Sequence, residues 1–304
     1  MPGAPRLTVA VISTGAVGTA VGEALARAGH AVTAVVARSD ASRARAALRL
    51  PQARIADVVS AARDAELIIL AVPDPELPGV VEQIVPHVGP GRIVVHVAGS
   101  RGRAVLDPIA LTGALTIAAH PAMTFAGVPD DTDRLAGCPW GVTVGDELSR
   151  TVAELLISEI GGRAIPIPES RRPQYHAAMA HGSNHLGAVV ADAVELLARA
   201  ISDGGDPAAG HSPDAAREQA AALLGPLLNA SLDNALKWGP RALTGPAARD
   251  DADTVIKHLG VIDDELPRAT PAYRALARRI AELKGSAAVL RALGHRPDAT
   301  GGAD

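Results

Sequence analysis

The sequence LTVAVISTGAVGTAVGEALARAGHAVTAVVARS, residues 7–39, decides the fold of the chain. Its first run, Leu7 to Ile12, is short, apolar and rich in β-branched residues, which is typical of a strand buried on both faces. A turn bracketed by Gly15 and Gly18 follows, and apolar residues then recur at helical spacing. The apolar run 31–37 predicts a second strand. The stretch therefore predicts a strand–helix–strand unit of about 30 residues with a right-handed crossover.

The turn before the helix predicts a pyrophosphate site, because backbone N–H groups and the helix dipole point at an anion placed there. The usual pattern is G-x-G-x-x-G, whereas residues 13–18 read STGAVG, so that Ser13 replaces the glycine of the tight turn. The candidate cofactor-binding residues of the turn are Thr14, Gly15, Ala16, Val17 and Gly18. The alternative is a unit of the same fold that binds no nucleotide.

The end of the second strand favours NADP over NAD. NAD sites usually place an Asp or Glu at this point for the ribose hydroxyls, whereas this chain has Arg38 and Ser39. Because a guanidinium matches the geometry of phosphate oxygens, we expect these two residues to bind a 2′-phosphate. The alternative is a solvated, arginine-rich helix start that is capped by Asp40 or Ser42.

Composition excludes several classes of protein. A formal net charge of −4 without a basic tract gives no electrostatic footprint for nucleic acid. The single Cys138 excludes an intramolecular disulfide and a metal site built from cysteines. The sequence has neither a recognisable leader nor an apolar run of about 18 residues. We therefore expect a soluble, cytoplasmic protein with no membrane partner.

The rest of the chain predicts an α/β half followed by a helical half. Further strands are predicted at 66–72, 92–96 and 115–120, with an edge strand at 140–144. Ligands of such sheets bind at the carboxyl ends of the strands. This places five residues near the ribose, the nicotinamide or the substrate: Val72, Pro73, Asp74, Gly99 and Ser100. We predict a doubly wound dinucleotide-binding domain over residues 1–167 and an all-α domain for substrate binding and dimerisation over residues 168–304.

A long helix predicted over 174–201 carries an unusual polar face. At about 100° per residue one side presents His181, Asn184 and His185, where a solvated face would present Lys, Arg and Glu. Imidazole suits proton transfer near neutral pH, so we interpret either histidine as a proton donor and Asn184 as the group that orients the substrate. Gly182 between them would allow a ligand or backbone to approach. The alternatives are a polar domain or subunit interface, and a zinc site that lacks a third ligand.

Residues 242–251, ALTGPAARDD, predict a second binding element. Thr244 is a candidate N-cap for a helix beginning at Ala248, and the helix N-terminus with Arg249 would suit a carboxylate. Thr244, Gly245 and Arg249 are therefore candidate substrate-binding residues. The alternative is a simple capped helix start with Arg249 in solvent.

In combination these motifs resemble a family of Rossmann-like proteins whose helical C-terminal half is a domain of unknown function. The family is related to 6-phosphogluconate and 3-hydroxyacid dehydrogenases and to ketopantoate and pyrroline-carboxylate reductases. The residues that carry the resemblance are HPAMTF at 120–125, YHAAMAH at 175–181, SNHL at 183–186, LDNAL at 232–236 and ALTGP at 242–246. The resemblance implies an NAD(P)-dependent oxidoreductase with a 6-phosphogluconate dehydrogenase C-terminal-like domain, substrate-binding residues that include His120 and Pro121, and a homodimer formed through the helical domain.

The chain also departs from these families. Ala180 stands where 3-hydroxyacid dehydrogenases commonly have a Lys one turn before the Asn, and Ser13, Ala98 and Asp250 replace residues usual in the nearer family, which are Gly, Ser and Gly. We expect an NADP-dependent reductase of a small oxo acid, of the ketopantoate type, or of an imine. A prephenate- or pyrroline-like reductase and a deazaflavin donor stay open. The alternative is a dinucleotide- or metabolite-binding regulatory protein without turnover.

Overall fold

A computed structural model describes residues 6–203 and 212–294. The chain divides into two compact units, residues 1–183 and 184–304. The domain boundary predicted between residues 167 and 168 precedes the last helix of the first unit.

The first unit contains one eight-stranded sheet. Its strands are β1 (Thr8–Ile12), β2 (Ala31–Val36), β3 (Arg54–Ile55), β4 (Leu67–Leu70), β5 (Ile93–His96), β6 (Leu115–Pro121), β7 (Pro139–Val144) and β8 (Arg163–Pro166). The strand order is β3-β2-β1-β4-β5-β6-β7-β8, and β6 with β7 is the antiparallel pair. The order from β3 to β6 is that of a doubly wound sheet. The predicted fold class is confirmed.

Helices cover both faces of this sheet. They are α1 (Ala16–Arg27), α2 (Asp40–Arg49), α3 (Val58–Arg63), α4 (Leu77–Ile84), α5 (Asp107–Ala110), α6 (Asp130–Asp133), α7 (Glu147–Glu159) and α8 (Arg172–Ala180). Successive residues of β1 point to opposite faces, so Val9 and Val11 join an apolar cluster with α1 and α7. Ala10 and Ile12 join a second cluster with α3 and α4. The predicted burial of β1 on both faces follows from this packing.

The prediction of an edge strand at 140–144 is wrong. β7 lies inside the sheet, between β6 and β8. The edge is β8, which is short, ends at Pro166 and is mostly exposed. A strand of four residues without alternation of polar and apolar residues has no periodic signal to reveal it. Proline is tolerated in it because an edge strand has an unpaired side.

The second unit is helical in its described residues. It contains α9 (Leu186–Asp203), α10 (Pro213–Trp238), α11 (Ala252–Glu265), α12 (Thr270–Lys284) and α13 (Ala287–Ala292). The sequence pair Gly225-Pro226 would be expected to break or kink a helix, but α10 continues through it as one helix with Pro226 inside. None of the helices that the structure describes has both the length and the apolar character needed to cross a membrane.

Candidate functional site

The N-terminus of α1 is open to an anion. Its N-cap, Gly15, has no side chain to cap the helix, and the first turn contains no acidic residue. A Cβ built on Gly15 would meet only the Ser13 Oγ, at 3.8 Å, so the backbone here can be approached closely. Because the first N–H groups of a helix lack intrahelical partners, this terminus has the features of a pyrophosphate site.

Gly18 and Thr14 have structural roles in the same turn. A Cβ on Gly18 would lie 2.0 Å from the Ser13 carbonyl oxygen and 2.9 Å from the Ala71 Cβ, so no larger residue fits there. The buried Thr14 donates its backbone N–H to the Val36 carbonyl and its hydroxyl to the Ser42 carbonyl. The polar groups of Thr14 thus hold the turn against its neighbours instead of facing a ligand.

Ser13 and Asp250 share an unusual backbone conformation. They are the two non-glycine residues with positive φ in the described part of the chain, at 85° and 60°, and both stand where the resemblance leads us to expect glycine. The Asp250 carboxylate accepts a hydrogen bond of 3.0 Å from the Val289 N–H, which offsets its backbone strain. Among the described residues, the Ser13 hydroxyl has no such compensating bond.

Ser13→Gly is therefore expected to raise the free energy of unfolding by about 0.5 to 1 kcal/mol, because relief of left-handed strain exceeds the added freedom of the unfolded chain. Urea unfolding followed by circular dichroism would measure it. The matched control is Ser158→Gly in the exposed face of α7, which is expected to destabilise by about 0.5 kcal/mol, the difference in helix propensity between Ser and Gly. Equal losses in both variants would contradict strain at Ser13.

The end of β2 contains an exposed arginine, Arg38, followed by the capped start of α2. Arg38 forms an ion pair of 2.8 Å with Glu76, and the two side chains are 64% and 45% exposed. Ser39 is the N-cap of α2, since its side chain accepts from the Ser42 N–H at 3.2 Å. The interpretation of Asp40 or Ser42 as the cap is therefore wrong: Asp40 is the first helical residue, and Ser42 completes a capping box with Ser39.

Two loops at the carboxyl ends of β4 and β5 meet. Ser100 donates a hydrogen bond to the Asp74 carboxylate, which joins two of the predicted cofactor residues. Val72 is buried at the start of the first loop, and Pro73 separates it from Asp74. In the second loop Gly99 makes room for two imidazoles, because a Cβ there would lie 2.9 Å from both His120 Nε2 and His176 Cδ2.

His120 and Tyr175 form the centre of a polar cluster. The Tyr175 hydroxyl and His120 Nδ1 lie 2.8 Å apart, and the two rings meet edge to face. A Cβ on Gly141 would lie 2.7 Å from the Tyr175 hydroxyl, so this glycine lets the phenol lie against β7. We call Gly99, His120, Tyr175 and His176 the His120–Tyr175 cluster. It lies at the carboxyl ends of β5 and β6, where doubly wound sheets bind ligands.

Arg172 packs against the ring of Tyr175 and is held by hydrogen bonds to β6 and β7. Its side chain is 1% exposed; Nε donates to the Thr143 hydroxyl at 2.7 Å, and Nη2 donates to the carbonyl oxygens of Ala118 and Gly141, each at 2.9 Å. The guanidinium lies 5.5 Å from the centre of the Tyr175 ring. No described residue accepts from its buried Nη1. Arg172 thus holds the start of α8 against β6 and β7 and brings a positive charge to the cluster.

Burial shifts the pKa values of His120 and Tyr175 in opposite directions. Burial lowers the pKa of His120 to about 4, and the charge of Arg172 acts in the same direction. Burial raises the pKa of Tyr175, which the charge of Arg172 partly opposes. At neutral pH the imidazole is therefore neutral and the phenol keeps its proton. A proton lost from the Tyr175 hydroxyl can be replaced through His120 Nδ1.

The sequence predicted one regular helix over residues 174–201, but residues 181–185 interrupt it. They form a π-helical turn between α8 and α9, so 100° per residue does not hold across them. His181, Asn184 and His185 are exposed. No described atom lies within 4 Å of a Cβ on Gly182, so no neighbouring backbone explains this glycine. Among the described residues no group of three or more His, Cys, Asp and Glu is arranged to hold a metal ion.

The prediction that Thr244 caps a helix is wrong. Residues Ala247–Arg249 form a 3-10 turn, and α11 begins only at Ala252. Its N-cap is Asp251, which accepts from the Thr254 N–H at 3.1 Å. Because a carboxylate of the chain already occupies this N-terminus, the dipole is not available for a substrate anion. Thr244 and Arg249 are exposed, and Gly245 has φ +89°.

Sequence reasoning placed the chemistry on His181, Asn184 and His185 and missed Tyr175, His176 and Arg172 as site residues. One signal was present. Tyr175 is one of two tyrosines in a chain with 2% aromatic residues, and it directly precedes a histidine. The buried Arg172 gave no signal, because an arginine beside a proline reads as part of a solvated connector.

Two family models match the chain. Residues 3–121 match a Rossmann-like domain, and residues 138–280 match a domain of unknown function, DUF2520. The molecule is therefore a two-domain protein of the Rossmann-like class. It belongs to the proteins that join such a domain to DUF2520, which confirms the resemblance carried by its motifs.

Three solved structures of similar fold are described as an oxidoreductase, a reductive aminase and a reductase. A candidate NADP oxidoreductase from Bacteroides fragilis is 21% identical, with a TM-score of 0.73 and 91% and 98% of the two chains covered. A reductive aminase from Aspergillus terreus in complex with NADPH and ethyl levulinate is 17% identical, with a TM-score of 0.62 and coverage of 92% and 98%. The pyrroline carboxylate reductase of Plasmodium falciparum with NADP bound is 11% identical, with a TM-score of 0.54 and coverage of 91% and 98%. No curated protein sequence matches the chain.

Proposed function

We propose that the protein is an NADP-dependent reductase that adds a hydride and a proton to a small oxo acid or an imine. The observation that carries the proposal is the arrangement of the first unit. An open helix N-terminus follows β1, and the His120–Tyr175 cluster follows β5 and β6. Dinucleotide and reacting groups occupy this end of a doubly wound sheet. The descriptions of the three similar structures support the same class of reaction.

The residues at the carboxyl ends of β1, β2, β4 and β5 could hold the successive parts of NADP. The backbone at Gly15 and the first turn of α1 would hold the pyrophosphate, and Arg38 with Ser39 would hold the 2′-phosphate. The Arg38–Glu76 pair is exposed and weak, so the guanidinium can exchange the carboxylate for a phosphate at little cost. Val72, Pro73, Asp74, Gly99 and Ser100 would line the remainder of the cofactor site. When bound, NADPH supplies the hydride.

For the proton we propose Tyr175 as donor, with His120 behind it at 2.8 Å. The phenol gives its proton to the oxo or imine group. The neutral ring of His120 then returns one from Nδ1 while it takes up a proton from solvent at Nε2. His181 or His185, with Asn184 orienting the substrate, is the second candidate; all three lie on or beside a π-helical turn, a form often found at functional sites. Pro121, Thr244, Gly245 and Arg249 are proposed to contact the substrate.

The helical domain, residues 168–304, is proposed to form a homodimer. Leu223 and Leu227 lie one turn apart on α10 and are both exposed, and adjacent exposed apolar side chains can form part of an interaction surface. The alternative function is a dinucleotide-binding regulatory protein without turnover. The backbone strain at Ser13 favours it, since a tight turn without glycine is unusual in a catalytic cofactor site.

Calorimetry with NADPH and NADH tests the cofactor. We expect NADPH to bind in the micromolar range and Arg38→Ala to weaken it about 10-fold, or roughly 1.4 kcal/mol, with little effect on NADH. The matched control is Arg150→Ala, which removes an exposed arginine of α7 that pairs with Glu147 and is expected to change neither affinity. If neither nucleotide binds, the reductase proposal is wrong.

A further inference from the structure

The second unit contains a cavity whose lining includes one of the proposed substrate contacts, Thr244, and no residue of the His120–Tyr175 cluster. It lies between α9, α11 and α12 and has a volume of about 510 Å³. This is within the range of roughly 300 to 1,000 Å³ typical of small-molecule sites. Its walls are mainly aliphatic, and the larger side chains are Leu196, Val261, Ile262, Leu266, Leu276 and Ile280. The cavity therefore suits a ligand with an apolar body.

Four polar side chains also line this cavity: Asp192, Thr244, His258 and Tyr273. The Tyr273 hydroxyl and His258 Nδ1 lie 2.8 Å apart, with the rings edge to face. Burial raises the pKa of Tyr273, so its phenol stays neutral. This pair offers hydrogen bonds without a negative charge. A few convergent polar groups in an apolar pocket are the usual means of orienting a ligand.

Asp192 decides which ligand charge is acceptable. Its nearest cation is Arg268, whose Nε lies 3.9 Å from the carboxylate and whose side chain is 64% exposed. Such a pair is at the limit of contact and screened by water. The Asp192 side chain is 32% exposed, so its carboxylate can exchange water for a ligand donor. A ligand anion would be repelled by Asp192, whereas an ammonium group would be attracted to it.

We propose that this cavity binds a small apolar amine, with the ammonium group on Asp192 and the apolar body against the leucine and isoleucine side chains of α9, α11 and α12. No residue of the His120–Tyr175 cluster lines the cavity. Thr244 is common to both proposals, but amine binding here requires neither NADPH nor turnover, so the two proposals can fail separately.

Titration of the full-length protein, without nucleotide, with hexylamine, 1-hexanol and hexanoate tests the head group at constant chain length. Calorimetry is expected to give binding of hexylamine at least 10-fold tighter than of hexanoate, with hexanol between them. Asp192→Asn is expected to weaken hexylamine at least 10-fold and to leave hexanol unchanged. The control is Asp264→Asn, which removes an exposed carboxylate of α11 outside the cavity and is expected to change neither.

Val261→Trp fills the cavity from its exposed rim, and is expected to abolish binding of hexylamine and hexanol while the far-ultraviolet circular dichroism stays unchanged. Equal affinity for the three probes, or no effect of Asp192→Asn, would overturn the amine assignment. Absence of binding would overturn the site itself. The site would also be overturned if none of the three probes bound and Val261→Trp converted a dimer to a monomer. The cavity would then be a contact surface between two copies of the chain.

Discussion

Gly18→Ala is expected to lower the free energy of unfolding of the first unit by about 3 kcal/mol and to abolish nucleotide binding. The added methyl group would lie 2.0 Å from the Ser13 carbonyl oxygen, and neither backbone nor the Ala71 side chain can yield without moving α1 away from the sheet. Overpacking of this kind typically costs about 1 to 3 kcal/mol. Urea unfolding followed by circular dichroism measures the change, and calorimetry with NADPH measures the binding.

Gly79→Ala in α4 is the matched control for this substitution. Among the described residues, no atom beyond the chain neighbours of Gly79 and the backbone of α4 lies within 4 Å of a Cβ built there. Alanine is therefore expected to stabilise the helix by up to about 1 kcal/mol through its higher propensity. If Gly18→Ala unfolds at the same denaturant concentration as the unmodified protein, the close contact between α1 and the turn does not exist in solution.

Tyr175→Phe is expected to lower turnover about 100-fold or more while NADPH affinity stays unchanged. The substitution keeps the ring against β7 and Arg172 but removes the hydroxyl that lies 2.8 Å from His120. A positioned general acid contributes about 10²- to 10⁴-fold to a rate, so the loss should appear in kcat. Steady-state kinetics with NADPH and a panel of short oxo acids and imines provides the measurement.

Two further variants identify the donor. His120→Asn keeps a polar group near the position of Nδ1 and is expected to retain more turnover than His120→Ala, because the phenol stays oriented. His181→Gln is expected to have little effect. The opposite pattern, full activity in Tyr175→Phe and collapse in His181→Gln, would move the acid to the π-helical turn. If no substrate of the panel is reduced by the unmodified protein, the regulatory alternative gains support.

The sequence was sufficient to predict the sheet of the first unit. The runs around β1, β2, β4, β5 and β6 are continuous and apolar because these strands are buried on both faces, and burial of this kind is visible in composition alone. β8 could not be assigned as a strand in the same way, since its residues are mostly exposed. The edge was consequently placed one strand too early.

The candidate site was only partly predictable. Asp74, Gly99 and Ser100 follow from the rule that ligands lie at the carboxyl ends of strands, whereas His120 was implied by the family resemblance. Tyr175 could not be added by that rule, because it lies on a helix more than 50 residues after His120 in the sequence, and no local pattern reports such a contact. The π-helical turn at 181–185 was equally invisible, since its residues also fit a regular helix.

The backbone at Ser13 bears on how dinucleotide-binding motifs should be written. A sequence motif that requires glycine at all three positions does not match this chain, although Ser13 adopts the left-handed backbone conformation of the turn. The physical requirement is a tolerated torsion angle at the first position, and absence of a side chain only where another atom lies too close, as at Gly18. Motifs expressed as required torsion angles and excluded volume, position by position, would recover relatives that a search for three glycines passes over.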